Sequence, residues 1–199
     1  VTCAGIGRLP SVSALSPLDP ARLRRALQDY IRRKLDPLAR IAGLRVMEQG
    51  HAGLTFGFDI LGADSDALAG YILKLAPPGV RRHGNTDVYR QAPLLRALHA
   101  AGLPVPDVPF AEVDEADLGT PFIIMERLPG RCFIVWEPDA SFDATPAAVA
   151  SLYLQCTRVL ADLHRFDWRR QLADWEPPRP LREEILRWDG VLAKAPEPA

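Results

Sequence analysis

The chain has 199 residues, 48% of them apolar and 25% charged, with a formal net charge of -1, a balance ordinary for a globular protein. Near-neutral charge gives no footing for nucleic acid or an anionic membrane surface, so neither is an expected partner. No apolar run reaches the length of about 18 residues that a membrane-spanning helix needs, and residues 1–16 lack the charged start and continuous apolar stretch of a signal peptide.

In chain order, residues 1–18 carry Gly, Pro and Ser without periodicity and read as a flexible lead-in. Asp19 followed by Pro20 marks a helix start, and Leu23, Leu27, Ile31 and Leu35 recur at four-residue steps, so a helix is expected through Leu38. Leu44, Val46 and Met47 begin a strand pattern. Leu54 to Leu61 and Gly70 to Ala76 read as the next two strands of an antiparallel meander. A helix is expected over Asp87 to Ala101, with Pro93 in its first turns or kinking it, and Gly102 stopping it. Val108 to Val113 and Pro121 to Leu128 read as two more strands around an acidic turn. Beyond Pro129-Gly130 the pattern is helical: Thr145 to Phe166 has a broad apolar stripe from Val149 to Leu163, and Leu181 to Lys194 follows a proline-rich stretch.

Cys3, Cys132 and Cys156 are too few and too scattered for a disulfide framework or a zinc site, which fits a reduced, cytoplasmic protein. Lysine occurs only at 34, 74 and 194 among many arginines, a bias typical of a high-GC bacterial coding sequence. Against that background Lys74 stands out. Flanked by Leu73 and Leu75 in a strand, it points opposite to both, toward a cleft or toward solvent. The turn Gly50-His51-Ala52-Gly53 reads alone as an ordinary hairpin turn, or as one that lets backbone approach a phosphate without Cβ obstruction.

Five segments in order carry a family resemblance: Gln49-Gly50-His51-Ala52-Gly53-Leu54-Thr55, Tyr71-Ile72-Leu73-Lys74, Leu94-Leu95-Arg96-Ala97-Leu98 with Leu103-Pro104-Val105-Pro106, Phe122-Ile123-Ile124-Met125-Glu126-Arg127-Leu128-Pro129-Gly130, and Leu160-Ala161-Asp162-Leu163-His164. Over about residues 40–195 the chain resembles the aminoglycoside phosphotransferase-like family, a branch of the protein-kinase-like fold. The resemblance implies an α+β architecture: a kinase-like N-lobe of five antiparallel strands plus a helix, then the first helices of a truncated helical C-lobe. The corresponding divisions are a flexible 1–18, an N-lobe with its leading helix over 19–128, and an incomplete C-lobe over 129–199.

The resemblance also implies a site. Lys74 would hold the α- and β-phosphates of ATP, the turn of Gly50, His51, Ala52 and Gly53 would approach the phosphates, and the hinge at Glu126, Arg127 and Leu128 would read adenine through backbone groups. The family pairs its strand lysine with a helix glutamate; here alignment places Gln91 there, a departure, with Asp87 one turn earlier as a partial substitute. His164 is assigned to packing, and Asp167 and Asp189 have no partners that form a recognisable catalytic set. The family's His-Gly-Asp loop and acidic magnesium motif do not occur, so no catalytic or metal-binding residue is named and the Mg2+ ligands are expected beyond the C-terminus. The expected function is the nucleotide-binding, N-terminal portion of an ATP-dependent small-molecule phosphotransferase, acting on a substrate hydroxyl and by itself inactive. The alternative is a non-catalytic, pseudokinase-like nucleotide-binding or interaction module. Members resembling this chain include proteins associated with acyl-CoA metabolism.

Overall fold

The structure, a computed structural model, describes residues 19–47, 54–63, 67–82, 86–130, 133–134 and 138–193. The expected lead-in over 1–18, the turn of Gly50, His51, Ala52 and Gly53, the loop residues His83, Gly84 and Asn85, and Cys132 lie outside the described residues. The chain divides between Phe166 and Asp167 into two compact units.

The first unit opens with α1 (Pro20–Lys34). Asp19 caps it, its carboxylate accepting from the Ala21 N–H at 2.9 Å, with proline in the first turn where its missing N–H costs nothing. The helix stops at Lys34, short of Leu38. Asp36 precedes Pro37, a position that disfavours helical backbone, and the Asp36 carboxylate instead accepts from the Leu38 N–H at 2.8 Å.

Strands β1 (Arg40–Val46), β2 (Leu54–Leu61), β3 (Ala67–Leu75), β4 (Phe110–Glu112) and β5 (Phe122–Glu126) form one antiparallel sheet in the order β1-β2-β3-β5-β4. Helix α2 (Gln91–Ala100) lies in the chain between β3 and β4. It starts four residues later than the periodicity suggests. Asp87 accepts from the Arg90 N–H at 3.2 Å and holds residues 87–90 as a turn, so Pro93 falls in the first helical turn. Its end follows the expectation. Gly102 takes φ +79°, its N–H reaches the His99 carbonyl at 2.9 Å, and the Leu103 N–H reaches Leu98 at 3.1 Å. That paired closure satisfies the last carbonyls and needs left-handed backbone.

Strand alternation sorts side chains onto two faces. Phe56, Phe58, Ile60, Leu73, Leu75, Phe122 and Ile124 pack on one face against Leu23, Leu27, Tyr30 and Ile31 of α1. On the other face Ile123, with Met125 and Ala111 beside it, packs against Val88, Ala92 and Leu95 of the α2 segment and Val108. The packed residues of β2, β3 and β5 on the α1 side are taken up by the core and are not free to face a ligand. Gln28 ties helix to sheet by donating to the Ala39 carbonyl and accepting from the Ile41 N–H, both at 2.9 Å.

Helix α3 (Pro146–Arg165) has Thr145 as its N-cap and no buried residue. Tyr153, Leu154, Val159, Leu160 and Leu163 on it are 40% to 59% exposed. The second unit holds α4 (Trp168–Gln171), capped by Asp167, and α5 (Leu181–Leu192). In it the Arg169 guanidinium lies 4.4 Å from the centre of the Trp168 ring and that of Arg187 lies 4.8 Å from the Trp188 ring.

Candidate functional site

Leu73 and Leu75 are fully buried on the α1 side, which turns Lys74 onto the opposite face. There it stands in register between Thr55 of β2 and Ile123 of β5. Val88 and Ala92, both fully buried, seat the start of α2 against the same face. Gln91 between them is thereby brought within reach, and the Lys74 Nζ donates to its Oε1 at 2.8 Å. The sequence-derived pairing of a strand lysine with Gln91 is thus present as a direct hydrogen bond. Asp87 does not share it. The residue precedes the helix and its carboxylate is used on the Arg90 N–H, so the helical spacing that would aim it at Lys74 does not arise.

The electrostatic state of this pair is unusual. Burial pushes the Lys74 ammonium below its ordinary pKa of 10.5, and among the described residues no carboxylate offsets the shift. A half-buried cation hydrogen-bonded to a neutral amide is solvated but not neutralised. A di- or triphosphate would supply the missing counter-charge.

This state carries a prediction. A basic group whose folded pKa is lowered opposes folding fully below that folded value, and its opposition fades as pH rises toward the unfolded value, where the unfolded chain binds more protons. Wild-type stability therefore gains from Lys74 as pH climbs toward 10.5. Gln91→Glu supplies a counter-charge. It is expected to raise stability at neutral pH by about 1 kcal/mol, roughly 2–4 °C in melting temperature for a chain of this size, and to flatten the alkaline gain. Thermal melts of both proteins from neutral to alkaline pH check this; identical pH slopes would refute it.

At the far end of the same strands lies the second group. The Glu126 N–H donates to the Asp107 carbonyl at 2.9 Å and the Arg127 N–H to the Gly70 carbonyl at 2.9 Å, so sheet pairing persists to the point where the chain departs. Glu126 and Leu128 are exposed and Arg127 is partly buried. The Arg127 Nη2 pairs with the Asp59 Oδ1 at 2.6 Å. Sequence reasoning missed Asp59 and Gly70. Alternation against buried Phe58 and Ile60 already puts Asp59 on the open face, but nothing local names a partner 68 residues away.

The remaining candidates separate from these. His164, assigned to packing, is exposed within its own unit. Asp162 pairs with Arg165 at 3.2 Å in the same helix. Asp167 caps α4 by accepting from the Arg170 N–H at 3.4 Å, and Asp189 is exposed on α5. Among the described residues, no group of three or more His, Cys, Asp or Glu side chains could hold a metal ion.

Comparison with known proteins adds a lineage to this geometry. The sequence is 36% identical over 100 residues to acyl-CoA dehydrogenase family member 11 of Gallus gallus, covering 50% of this chain and 12% of that protein. It is 30% identical over 95 residues to the Homo sapiens protein of the same name, covering 47% of this chain and again 12% of the relative. The chain thus matches only about an eighth of the length of these curated relatives. Among solved structures, a Ralstonia eutropha protein provisionally named an aminoglycoside phosphotransferase superposes with a TM-score of 0.61 at 24% identity, over 87% of this chain and 48% of its own. That likeness shows the fold: a five-stranded antiparallel N-lobe with helices, followed by part of a helical lobe. The sequence model of the phosphotransferase enzyme family, APH, matches residues 61–198, more than half of the chain. That span runs from the end of β2 through α5, taking in Lys74, Gln91 and residues 126–128, and by it the chain belongs to the APH phosphotransferase family.

Proposed function

We propose that the chain forms the ATP-binding portion of an ATP-dependent small-molecule phosphotransferase, which passes the γ-phosphoryl group of MgATP to a substrate hydroxyl. The observation that carries the reading is the Lys74–Gln91 hydrogen bond on the open face of the sheet, with a desolvated ammonium that no carboxylate among the described residues neutralises. Phosphoryl transfer asks the protein mainly to position charge, and Lys74 is a cation held ready for phosphate oxygens. Glu126, Arg127 and Leu128 would read the adenine edge through main-chain groups. Gly50, His51, Ala52 and Gly53 would approach the phosphates. Magnesium would travel with the nucleotide, and its protein ligands and the acceptor site are assigned to parts of the full enzyme outside the described residues. The partners are a nucleotide and a small hydroxyl-bearing molecule in the cytoplasm. No helix among the described residues is long and apolar enough to cross a membrane.

One observation favours a second reading. Gln91 is neutral where the strand lysine of such lobes ordinarily meets a carboxylate, which suits a module that binds nucleotide without transferring phosphate. Calorimetric titration of the chain with MgATP tests the shared part of both readings. A single saturable site is expected, with a stabilisation of about 2.7 kcal/mol once ATP reaches a hundredfold excess over its Kd. No saturable heat and no thermal shift would remove both. Phosphoryl transfer by the longest natural form of the protein then separates them.

A further inference from the structure

Resting on the nucleotide reading, we infer that the Arg127 side chain is a positioning residue for the base of the nucleotide, through a clamp it forms with Asp59 across Gly70. Three strands meet in this clamp. Asp59 of β2 stands opposite Gly70 of β3, and the Gly70 carbonyl accepts from the Arg127 N–H at 2.9 Å just past the end of β5. The guanidinium folds back over Gly70 to reach the Asp59 carboxylate at 2.6 Å.

Gly70 is the residue type that this requires. A Cβ there would overlap Nη2, Cζ and Nε of Arg127, so any side chain at 70 would expel the fork from the sheet. The other fork nitrogen, Nη1, is buried and has no hydrogen-bond partner among the described residues. Among the described residues, the Asp59 carboxylate is the anion paired with this cation, and the geometry depends on it.

The consequence falls on the main chain. Residue 127 is fixed twice, by its N–H to Gly70 and by its side chain to Asp59, while its neighbours Glu126 and Leu128 are exposed. The direction in which backbone leaves the sheet is thereby set at the segment proposed to read the base. Alternation places Asp59, Gly70 and Arg127 on the same face as Lys74, in a separate row of the register, so the clamp and the phosphate-holding lysine are two determinants on one surface. A backbone donor or acceptor contributes to recognition only when held in place beforehand, and the clamp supplies that hold.

Two ligands separate the roles: MgATP, which has a base, and magnesium tripolyphosphate, which does not. Calorimetry on the full chain compares wild type, Arg127→Gln, Gly70→Ala and Lys74→Met. Arg127→Gln and Gly70→Ala are expected to weaken MgATP about tenfold or more while leaving tripolyphosphate within about twofold. Lys74→Met is expected to weaken both ligands. Arg127→Lys, which keeps a cation for Asp59, recovers most of the preference for the base-bearing ligand. A far-UV circular dichroism melt confirms that each variant is folded, and Gly70→Ala provides an independent route should Arg127→Gln fail to fold. Wild-type affinity for MgATP in the folded clamp variants overturns the inference, as does equal loss of both ligands. A wild-type chain that binds tripolyphosphate but shows no gain from the base overturns this inference alone; one that binds neither overturns the nucleotide reading as well.

Discussion

Lys74→Met is expected to weaken MgATP binding by about 10- to 100-fold, the worth of roughly 1.5–3 kcal/mol for a charge-assisted hydrogen bond in a partly desolvated place. The fold should survive. Lys74 sits on the open face, and its neighbours Leu73 and Leu75 keep their places in the core. Burial already disfavours the ammonium, so exchange for an apolar side chain of similar length removes a desolvation cost while leaving the Gln91 amide to find water. The melting temperature is therefore expected to hold or rise at neutral pH while affinity falls. Calorimetry and a thermal melt on the same preparation measure both. A loss of affinity that tracks a loss of fold would make Lys74 a structural residue, and unchanged affinity would remove it from the site.

The largest stability effect is expected at Tyr30. Its ring meets Phe122 edge-on at 5.0 Å and Phe110 at 5.9 Å, which locks α1 onto β4 and β5. Its hydroxyl donates to the Glu112 carboxylate at 2.8 Å, and that carboxylate also takes Lys34 at 2.9 Å. Burial first, then the Glu112 carboxylate, pushes the phenol far above its ordinary pKa, so it stays a donor at any physiological pH. Lys34, followed by the Tyr30 hydroxyl, holds the Glu112 carboxyl below its usual range despite partial burial. Tyr30→Ala removes the ring from the centre of the core and is expected to cost about 3–5 kcal/mol. Tyr30→Phe keeps the ring and leaves Glu112 its lysine, for a cost of about 1 kcal/mol. Urea unfolding followed by circular dichroism distinguishes them. Equal effects would place the energy in the hydroxyl, and a negligible effect of Tyr30→Ala would mean that α1 does not fold with the sheet.

The two expectations divide the sheet by face. Tyr30, on the α1 side, is expected to set stability, and Lys74, on the opposite side, is expected to set binding. A variant at Tyr30 should therefore change stability with little effect on intrinsic affinity, and one at Lys74 the reverse. Arg127, on the Lys74 face, bears on both expectations. Its ion pair joins strands, yet its position at the exit of β5 ties it to the segment that would face the base.

The sequence by itself determined the local units. Four-residue apolar steps identify α1, and two-residue alternation identifies β2 and β3; both patterns record which side of an element meets the core. Lys74 was legible for the same reason, because a charge between two leucines in a strand cannot share their face. Gln91 was legible only through the family resemblance, by aligning on Leu95-Arg96-Ala97-Leu98, and the order of short segments pointed to the family. Element ends were less legible. The stop of α1 at Lys34 and the start of α2 at Gln91 depend on Asp36 and Asp87 choosing backbone N–H partners, a competition between local hydrogen bonds that periodicity does not register. Only the tertiary structure decided the pairings across the sheet: Tyr30 with Glu112, 82 residues apart, and Asp59 with Arg127 over Gly70. Each joins residues that are unremarkable in their own segments. Tyr30 meets Glu112 because α1 packs across the sheet, and Asp59 meets Arg127 because strand register, set by the buried faces of β2, β3 and β5 together, brings distant positions into one row.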